Sequence, residues 1–530
     1  MLNTMQDVEL RVHRVIDHAA REHADREIVT RWADGRTTRT TWAGVAHDAK
    51  RLAQALERLG IRKGDRVATL AMNHAAHLVA WYGVMGMGGI VHTINPRLFD
   101  DQLVYIAEHA EDRVLLYDRA FQPIVDRLRQ RWTTIEHYVV MDGDDDGSLA
   151  ALLASEDGRY DWVDGSEREP CLLAYTSGTT GDPKGVLYTH RSQLLHALAV
   201  ITPAIFNLSS RSVALPVVPM FHANGWGLPV AAPIAGATMV FSAVNDPAVL
   251  CELMNRERVT HSAGVPTVWL GMFGHIDAGG EPPRHLQLAS IGGSAAPRAM
   301  IERIMAMGIE VAHLWGMTET SPVGTAGQRP PEWDEMDHDA QLDLLSKQGQ
   351  IPFNIELRVV DDAGTELPRD GVSAGRLQVR GPWVVRRYYR ATEDCLDADG
   401  WFDTGDVSVL HPDGTMQITD RAKDVIKSGG EWISSVDLEN AAVGCPGVAE
   451  AAAIAMPHPK WDERPLLVVV RKPGSDVTPA EINAHLATQV ARWWLPDEIV
   501  FVDELPHTAT GKLLKTSLRA RFRDHVLATA

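Results

Sequence analysis

Residues 176–185 combine glycines, hydroxyl side chains and one lysine in a single short stretch, TSGTTGDPKG. The apolar run before it predicts a strand that ends in a loop. Glycines let a backbone approach an anion closely, and backbone N–H groups and hydroxyls donate hydrogen bonds to phosphate oxygens. This is not a Walker A loop, because no Gly-Lys-Ser/Thr follows at the required spacing. We predict a phosphate-binding loop, with a plain Ser/Gly turn as the alternative. The predicted phosphate-binding residues are Thr176, Ser177, Gly178, Thr179, Thr180 and Lys184.

Two further stretches carry carboxylates beside aromatic and hydroxyl residues. Thr318 and Glu319 lie in WGMTET (315–320), and Asp406 ends WFDTGD (401–406). Mg²⁺ at a phosphate site is held by one or two carboxylates together with phosphate oxygens. A carboxylate at the end of a turn, where we place Asp406, is suited to accept hydrogen bonds from both ribose hydroxyls. Taken alone, Thr-Glu is more often a helix start and Asp406 a turn residue.

These stretches resemble motifs of the AMP-forming acyl-CoA synthetases, the superfamily shared with peptide-synthetase adenylation domains and luciferases. The resemblance extends over nearly the whole chain, with further motifs in the expected order. It implies that Thr318 contacts the α-phosphate, Glu319 binds Mg²⁺, and Asp406 and Arg421 contact the ribose. It also implies an adenine side formed by Gly293, Ser294, Ala295, Trp315, Gly316 and Met317.

The closing stretch PHTATGKLLK (506–515) matches the segment that carries the family's catalytic lysine, which corresponds to Lys512. A lysine there bridges the substrate carboxylate and the α-phosphate, two anions that must approach each other. We expect the neighbouring Lys515 to be solvated. The resemblance also implies a hinge at Lys423 and a loop that lines the coenzyme A tunnel. The predicted loop residues are Lys427, Ser428, Gly429, Gly430, Glu431 and Trp432.

Residues 217–227, VVPMFHANGWG, resemble the mouth of the acyl pocket in fatty-acyl-CoA synthetases. The resemblance implies that Phe221 and His222 flank the carboxylate and the pocket wall, with His222 counted among the catalytic residues. It implies that Trp226 gates the tunnel for the acyl chain, although an aromatic cluster is more often plain core. The branch that this pattern resembles includes ligases for medium- and long-chain fatty acids and for methylmercaptopropionate.

The elements that must position these residues alternate between apolar runs and amphipathic stretches. We predict strands at 66–72 and 113–117 and helices at 73–85 and 100–109, which is typical of α/β layers with largely parallel sheets. The last hundred residues predict an α+β unit, with helices at 436–443 and 479–491 and strands at 448–454, 465–470 and 498–502. The predicted fold is a large N-terminal domain of layered α/β subdomains, residues 1–420, and a small mobile α+β C-terminal domain, residues 421–530.

Composition narrows the function classes. The 51 Lys and Arg against 70 Asp and Glu give a net charge of −19, which disfavours nucleic-acid binding. The four cysteines form no CxxC pair, and four scattered cysteines favour reduced thiols and a cytoplasmic protein. The apolar run 78–91 is too short for a membrane span and predicts a buried helix and turn, whereas peripheral membrane contact stays open. The family resemblance adds an expected homodimer.

The predicted function is ATP-dependent ligation of a carboxylic acid to coenzyme A through an acyl-AMP intermediate, with Mg²⁺ as cofactor. A medium- or long-chain fatty acid is the preferred substrate, and a short or sulfur-containing acid such as methylmercaptopropionate is the alternative. Two alternatives of other classes remain: an adenylation protein that loads a carrier protein, and a non-catalytic nucleotide-binding protein.

Overall fold

A computed structural model describes residues 4–176, 182–421, 423–428, 431–507, 513–527 and 529, with the backbone alone at 431 and 432. The strands, in chain order, are β1 (Glu27–Arg31), β2 (Thr37–Thr41), β3 (Arg66–Leu70), β4 (Ile90–Thr93), β5 (Asp112–Tyr117), β6 (His137–Val140), β7 (Pro170–Tyr175), β8 (Gly185–Thr189), β9 (Val213–Pro216), β10 (Thr238–Ser242), β11 (His261–Gly264), β12 (Leu288–Ile291), β13 (Glu310–Gly316), β14 (Val323–Ala326), β15 (Gly349–Gln350), β16 (Glu356–Val360), β17 (Gly375–Arg380), β18 (Phe402–Leu410), β19 (Thr415–Arg421), β20 (Ile426–Ser428), β21 (Glu431–Ile433), β22 (Val448–His458), β23 (Asp462–Arg471) and β24 (Glu498–Phe501).

The α-helices are α1 (His13–Glu22), α2 (Trp42–Arg58), α3 (Ala75–Gly86), α4 (Asp100–Ala110), α5 (Gln122–Leu128), α6 (Leu149–Ala154), α7 (His190–Val200), α8 (Leu228–Ala235), α9 (Pro247–Arg256), α10 (Pro266–Asp277), α11 (Arg298–Ala306), α12 (His338–Ser346), α13 (Ser435–Val443), α14 (Pro479–Leu486) and α15 (Lys515–Arg521). Two short 3₁₀ segments, Ala223–Gly227 and Thr318–Thr320, fall on predicted site motifs.

Two sheets build the large N-terminal domain. One has six strands in the order β6-β5-β3-β4-β7-β8, parallel except for the β7–β8 pair. The other has thirteen strands in the order β16-β17-β18-β19-β15-β14-β13-β12-β11-β9-β10-β1-β2. Its pairs from β13 to β1 in this order are parallel, whereas β2 and the strands from β14 to β16 pair antiparallel. Parallel pairing with helices on the faces explains the alternating apolar and amphipathic stretches. The predicted α/β fold class is confirmed.

Helix α3 explains the long apolar run at residues 78–91. Each of its residues from His77 to Gly86 is buried, and its neighbour α2 buries a stripe of apolar side chains at helical spacing. A helix that is apolar all round is therefore core here. None of the helices in the described part of the chain combines the length and the apolar character needed to cross a bilayer.

The smaller C-terminal domain is a five-stranded sheet in which β22 and β23 form a long antiparallel hairpin. These strands extend to His458 and from Asp462, beyond the predicted ranges, because backbone pairing continues to the hairpin end whatever the side chains are. Helix α14 ends at Leu486, five residues earlier than predicted. The last strand of the large sheet ends at Arg421 and the first strand of the small sheet begins at Ile426.

Candidate functional site

Asp406 is held between two strands and a buried tryptophan. It lies in β18 directly opposite Arg421 in β19, and its carboxylate is almost fully buried. The indole Nε1 of Trp315 donates to Asp406 Oδ2 at 2.9 Å, and Arg421 Nε lies 2.7 Å from Oδ1. Oδ1 has this charged neighbour but no aligned hydrogen bond among the described residues. A buried carboxylate oxygen in this state can accept a hydroxyl hydrogen bond, as a ribose would supply.

The prediction that Asp406 ends a turn was wrong. The turn is made earlier, by Asp397–Gly400, where Asp397 N–H donates to Trp401 O at 2.8 Å. Gly405 has a φ of +72°, which bends β18 without ending it, and the register with β19 shifts just after Asp406. The bend therefore places the carboxylate inside a strand, where its neighbours on β13 and β19 can reach it.

Trp315 needs a glycine beside it. A Cβ at Gly324 on the paired strand β14 would lie 2.3 Å from the indole Cζ3. Only glycine leaves room for the ring, which is itself buried. This glycine therefore lets Trp315 present its indole N–H to Asp406. Gly316 and Met317 continue the chain from Trp315 to the Thr318–Thr320 segment.

Glu319 lies in that segment, buried, with its carboxylate bonded from another part of the chain. The Tyr388 hydroxyl donates to Glu319 Oε1 at 2.8 Å, and the Tyr188 hydroxyl donates to the Thr318 carbonyl at 2.6 Å. Burial raises the pKa of each tyrosine well above the ordinary value for a phenol, and the charge of Glu319 raises it further. Both phenols therefore stay protonated hydrogen-bond donors.

These contacts were missed by sequence reasoning. Tyr388 is 69 residues from Glu319 and Tyr188 is 130 residues from Thr318, so no local spacing links either pair. The pair of tyrosines at 388–389, in an otherwise charged stretch before Asp394, was the one available signal. It indicates a contact but does not name the partner.

The predicted phosphate loop connects β7 and β8. Thr176 N–H donates to the Lys184 carbonyl at 2.9 Å, and Lys184 N–H donates to Thr176 Oγ1 at 3.2 Å. These bonds close the base of the loop. Lys184 is exposed, and its Nζ lies 4.9 Å from the centroid of the ring of Tyr388, the residue that also contacts Glu319. Ser177, Gly178, Thr179 and Thr180 lie outside the described residues.

A magnesium ion fits this side of the site. Within the described residues, no group of three or more His, Cys, Asp or Glu side chains is arranged to hold a metal. Mg²⁺ bound to phosphate needs only one or two carboxylates. Glu319 supplies one, and the bond from Tyr388 uses Oε1 and not Oε2.

The predicted acyl side differs in character. Phe221 and His222 line a cavity of about 220 Å³ together with Val217, Val218, Val265 and Arg97. Trp226 is buried and has a φ of +54°, within a segment of consecutive left-handed residues. A Cβ at Gly292 would lie 3.1 Å from the Trp226 ring, so this glycine allows the indole to approach the 292–297 loop.

Within that loop, Gly293 has a φ of +85° and Ser294 is exposed. Ala295 is half-buried, and the next residue, Ala296, donates its N–H to His313 Nε2 at 3.3 Å. The loop therefore turns at a left-handed glycine two residues after the end of β12. It lies beside β13, the strand that carries Trp315.

Lys427 and Ser428, in the hairpin predicted to line the coenzyme A tunnel, are bonded to the small domain's own β23. Lys427 N–H donates to Glu463 Oε2 at 2.7 Å, and Arg464 donates to Ser428 Oγ at 3.2 Å. The backbone of Glu431 and Trp432 belongs to β21. Gly429 and Gly430 lie outside the described residues. Lys423 is in the connection between the two domains, where Arg519 donates to its carbonyl at 3.2 Å.

Lys512 also lies outside the described residues, but the prediction for Lys515 was wrong. Lys515 is buried, with Nζ 2.7 Å from Glu439 Oε1 and 2.6 Å from Ser435 Oγ. Burial by itself lowers the pKa of Lys515, but the charges of Glu439 and Asp420 outweigh it, so the pKa lies above its ordinary value. Ser435 N–H in turn donates to Asp420 Oδ2 at 2.6 Å, which ties α15 and α13 to the end of β19.

Comparison with known proteins agrees with this geometry. The pattern of the AMP-binding enzyme family matches residues 16–389, and that of its C-terminal domain matches residues 437–512. The chain belongs to the AMP-binding enzyme family.

Individual relatives are similar over their whole length. The chain is 46% identical to a 3-methylmercaptopropionyl-CoA ligase of Ruegeria pomeroyi, covering 99% of both chains. It is 43% identical to a medium-chain-fatty-acid–CoA ligase of Ectopseudomonas oleovorans, covering 100% of this chain and 99% of the relative. Among solved structures, ATP-bound MatB from Rhodopseudomonas palustris superposes with a TM-score of 0.83 at 26% identity, covering 98% of this chain and 99% of MatB.

Proposed function

We propose that this protein is an ATP-dependent acyl-CoA ligase. It converts a carboxylic acid, a medium- or long-chain fatty acid, to acyl-CoA through an acyl-AMP intermediate and releases pyrophosphate and AMP. Membership of the AMP-binding enzyme family and whole-length similarity to two CoA ligases support the reaction class. The 46% identity to a 3-methylmercaptopropionyl-CoA ligase favours that sulfur-containing acid as the second candidate substrate.

The observation that carries the proposal is the end of strand β13. Trp315 bonds the buried Asp406 carboxylate there, and four residues later Glu319 accepts from Tyr388, whose ring Lys184 contacts. One short run of chain thus joins a carboxylate suited to a ribose with a carboxylate and a lysine suited to Mg²⁺ and phosphates. A nucleoside triphosphate carries both kinds of group, a ribose and a chain of phosphates.

In the first half-reaction, a carboxylate oxygen of the acid attacks the α-phosphorus and the bond to pyrophosphate breaks. Asp406 and Arg421 hold the ribose, and residues 176–184 hold the β- and γ-phosphates. Thr318 contacts the α-phosphate, and Lys512 bridges it to the carboxylate, offsetting the charge of two approaching anions. When bound at Glu319, Mg²⁺ offsets the charge on the phosphate oxygens.

In the second half-reaction, the thiol of coenzyme A attacks the acyl carbon, loses its proton, and AMP leaves. We propose that residues 1–420 and 421–530 form two domains. Between the half-reactions, the C-terminal domain rotates about Lys423, which removes Lys512 from the site and brings residues 427–434 to the acyl group. The β20–β21 hairpin supports this assignment because it stands directly after the connection between the two sheets. We also propose that the protein is cytoplasmic and that it forms a homodimer.

The test measures pyrophosphate release by the purified protein with Mg·ATP, with and without coenzyme A. The acids range from propionate to palmitate and include methylmercaptopropionate and aromatic acids. We expect strong turnover that depends on coenzyme A within one band of aliphatic acids. Turnover without any stimulation by coenzyme A would favour loading of a carrier protein. Tight ATP binding without acid-dependent release would identify a non-catalytic nucleotide-binding protein.

A further inference from the structure

Tyr388 lies between two side chains that the proposed function assigns to the triphosphate. Its hydroxyl donates to Glu319 Oε1 at 2.8 Å, and Lys184 Nζ lies 4.9 Å from the centroid of its ring. One aromatic side chain therefore contacts an anion with its edge and a cation with its face. The first contact uses the phenol hydroxyl as a hydrogen-bond donor, and the second uses the electron-rich face of the ring.

The backbone on either side of Tyr388 is fastened to the same two motifs. Val385 N–H donates to the Glu319 carbonyl at 2.8 Å, and Tyr389 N–H donates to the Gly185 carbonyl at 2.7 Å. Gly185 is the residue after Lys184. Residues 385–389 therefore bridge the turn that carries Glu319 and the hairpin that carries Lys184.

Two further hydrogen bonds fix the chain just before residues 385–389. Trp383 Nε1 donates to the Val323 carbonyl at 3.2 Å, and Ser321 Oγ donates to the Trp383 carbonyl at 2.8 Å. All three residues are buried. Tyr388 is therefore presented from a bonded segment, so its position is determined by the protein before any ligand binds.

We propose that Tyr388 is a positioning residue, which orients the Glu319 carboxylate and the Lys184 ammonium for a Mg²⁺–triphosphate. The inference rests on the proposed function. The hydroxyl restricts the rotamers of Glu319 because it holds Oε1 in a hydrogen bond, which leaves Oε2 for the metal. The ring face restricts an exposed lysine, whose long side chain otherwise loses much conformational entropy on contacting phosphate.

The test uses equilibrium binding rather than turnover. Calorimetry measures the affinity of α,β-methylene-ATP, which cannot be cleaved at the α,β position, over a series of Mg²⁺ concentrations. In Tyr388→Phe the ring stays and the bond to Glu319 is lost. We expect the Mg²⁺ concentration for half-maximal affinity to rise about tenfold, because a hydrogen bond to a charged group is lost. Tyr388→Leu also removes the ring and should weaken binding further at saturating Mg²⁺.

Tyr160→Phe is the matched control. Tyr160 also donates to a glutamate, Glu57 Oε1, at 2.7 Å, but both residues lie outside the proposed site. We expect its Mg²⁺ dependence to equal that of the wild type. In the background of Glu319→Gln, Tyr388→Phe should have little further effect on Mg²⁺ dependence, since the tyrosine acts through that carboxylate.

An unchanged Mg²⁺ dependence in Tyr388→Phe would overturn the positioning role while the proposed function stands. The same shift in Tyr160→Phe would also overturn it, because the effect would then not be specific to the site. If the wild type binds no nucleotide, the proposed function itself is overturned together with this inference. Thermal unfolding of each variant separates misfolding from a binding defect, and Tyr388→Phe preserves the test if Tyr388→Leu does not fold.

Discussion

The nucleotide side and the acyl side of the candidate site are built in different ways. On the nucleotide side, the carboxylates of Asp406 and Glu319 each have a protein donor, Trp315 and Tyr388. On the acyl side, Trp226 packs against Gly292, and the carboxamide of the buried Asn224 has no hydrogen bond among the described residues. One side is organised by charge and the other by shape.

This difference has a consequence for recognition. Charged groups that are already oriented bind a polar ligand without paying for reorganisation, and they demand a particular ligand because an unpaired buried charge is costly. An apolar wall accepts any chain that fits, and a methylene more or less changes the free energy of binding only modestly. Changes on the nucleotide side should therefore alter ATP use for every acid, whereas changes on the acyl side should alter the choice of acid.

The largest expected effect concerns the residue that the proposal assigns to both sides. Lys512→Ala should reduce adenylate formation by ~10²–10³-fold, because a positioned charge in the transition state is lost. It should largely spare thioester formation from supplied acyl-AMP. The measurement compares the two half-reactions separately. Equal loss of both would contradict the assignment of Lys512 to the first half-reaction.

Asp406→Asn should break the nucleotide side alone. It removes the charge that faces Arg421 and should raise KM for ATP by ~10–100-fold for every acid, since hydrogen bonds to a charged group are weakened. KM for the acid should change little. Asp403→Asn is the control. Asp403 also lies on β18 and pairs with an arginine, Arg376 on β17, but it is partly exposed. A similar rise in KM for ATP in that control would show that the effect is not specific to the site.

Trp226→Ala should break the acyl side alone. Removing the indole opens space beside Gly292, so the ratio of kcat/KM for long acids over short acids should rise about tenfold. The kinetic assay across a homologous series of acids measures this ratio, with KM for ATP as the internal control. An unchanged profile, or a larger change in KM for ATP than in the profile, would argue against a gate.

The smallest effect concerns His196, which connects the acyl side to the nucleotide side. Its Nε2 accepts from Val323 N–H at 3.1 Å, and its ring packs against Gly227. Burial lowers the pKa of His196 from 6.5 to about 3. The folded state therefore disfavours the protonated form, so its contribution to stability is full above pH 6.5 and is lost as pH falls below that value.

At about pH 5.5 this loss amounts to about 1.4 kcal/mol of the free energy of unfolding. His196→Gln keeps an acceptor for Val323 and cannot titrate, so its urea unfolding should depend less on pH between neutral and acid conditions. His338→Gln, at an exposed position on α12, is the control and should follow the wild type. A variant with the wild-type pH dependence would exclude His196 as a source of acid sensitivity.

The sequence was sufficient to predict secondary structure where an element depends on a local run of residues. The predicted strands and helices at 66–117 match β3, α3, α4 and β5 within a few residues, because their apolar residues reflect burial directly. The motif at 315–320 is also a local run, which passes from β13 into a 3₁₀ segment. The roles of its residues in binding ATP and Mg²⁺ stay predictions.

Sequence reasoning failed where a partner is far away along the chain. Lys515 was expected in solvent, but Glu439 and Ser435 pair with it in the interior. Asp406 was expected at the end of a turn. The strand continues there because β19 supplies the partner backbone.

The amino-acid sequence by itself determined which chemical groups are present: the glycine and hydroxyl loop, the carboxylates and the lysines, and the alternating pattern that forms layered sheets. The tertiary structure alone decided which of them meet. Trp315 reaches Asp406, and Tyr388 reaches both Glu319 and Lys184, because strands and turns far apart in the chain pack against one another. Such contacts depend on how the sheets pack, and no single stretch of residues specifies that packing.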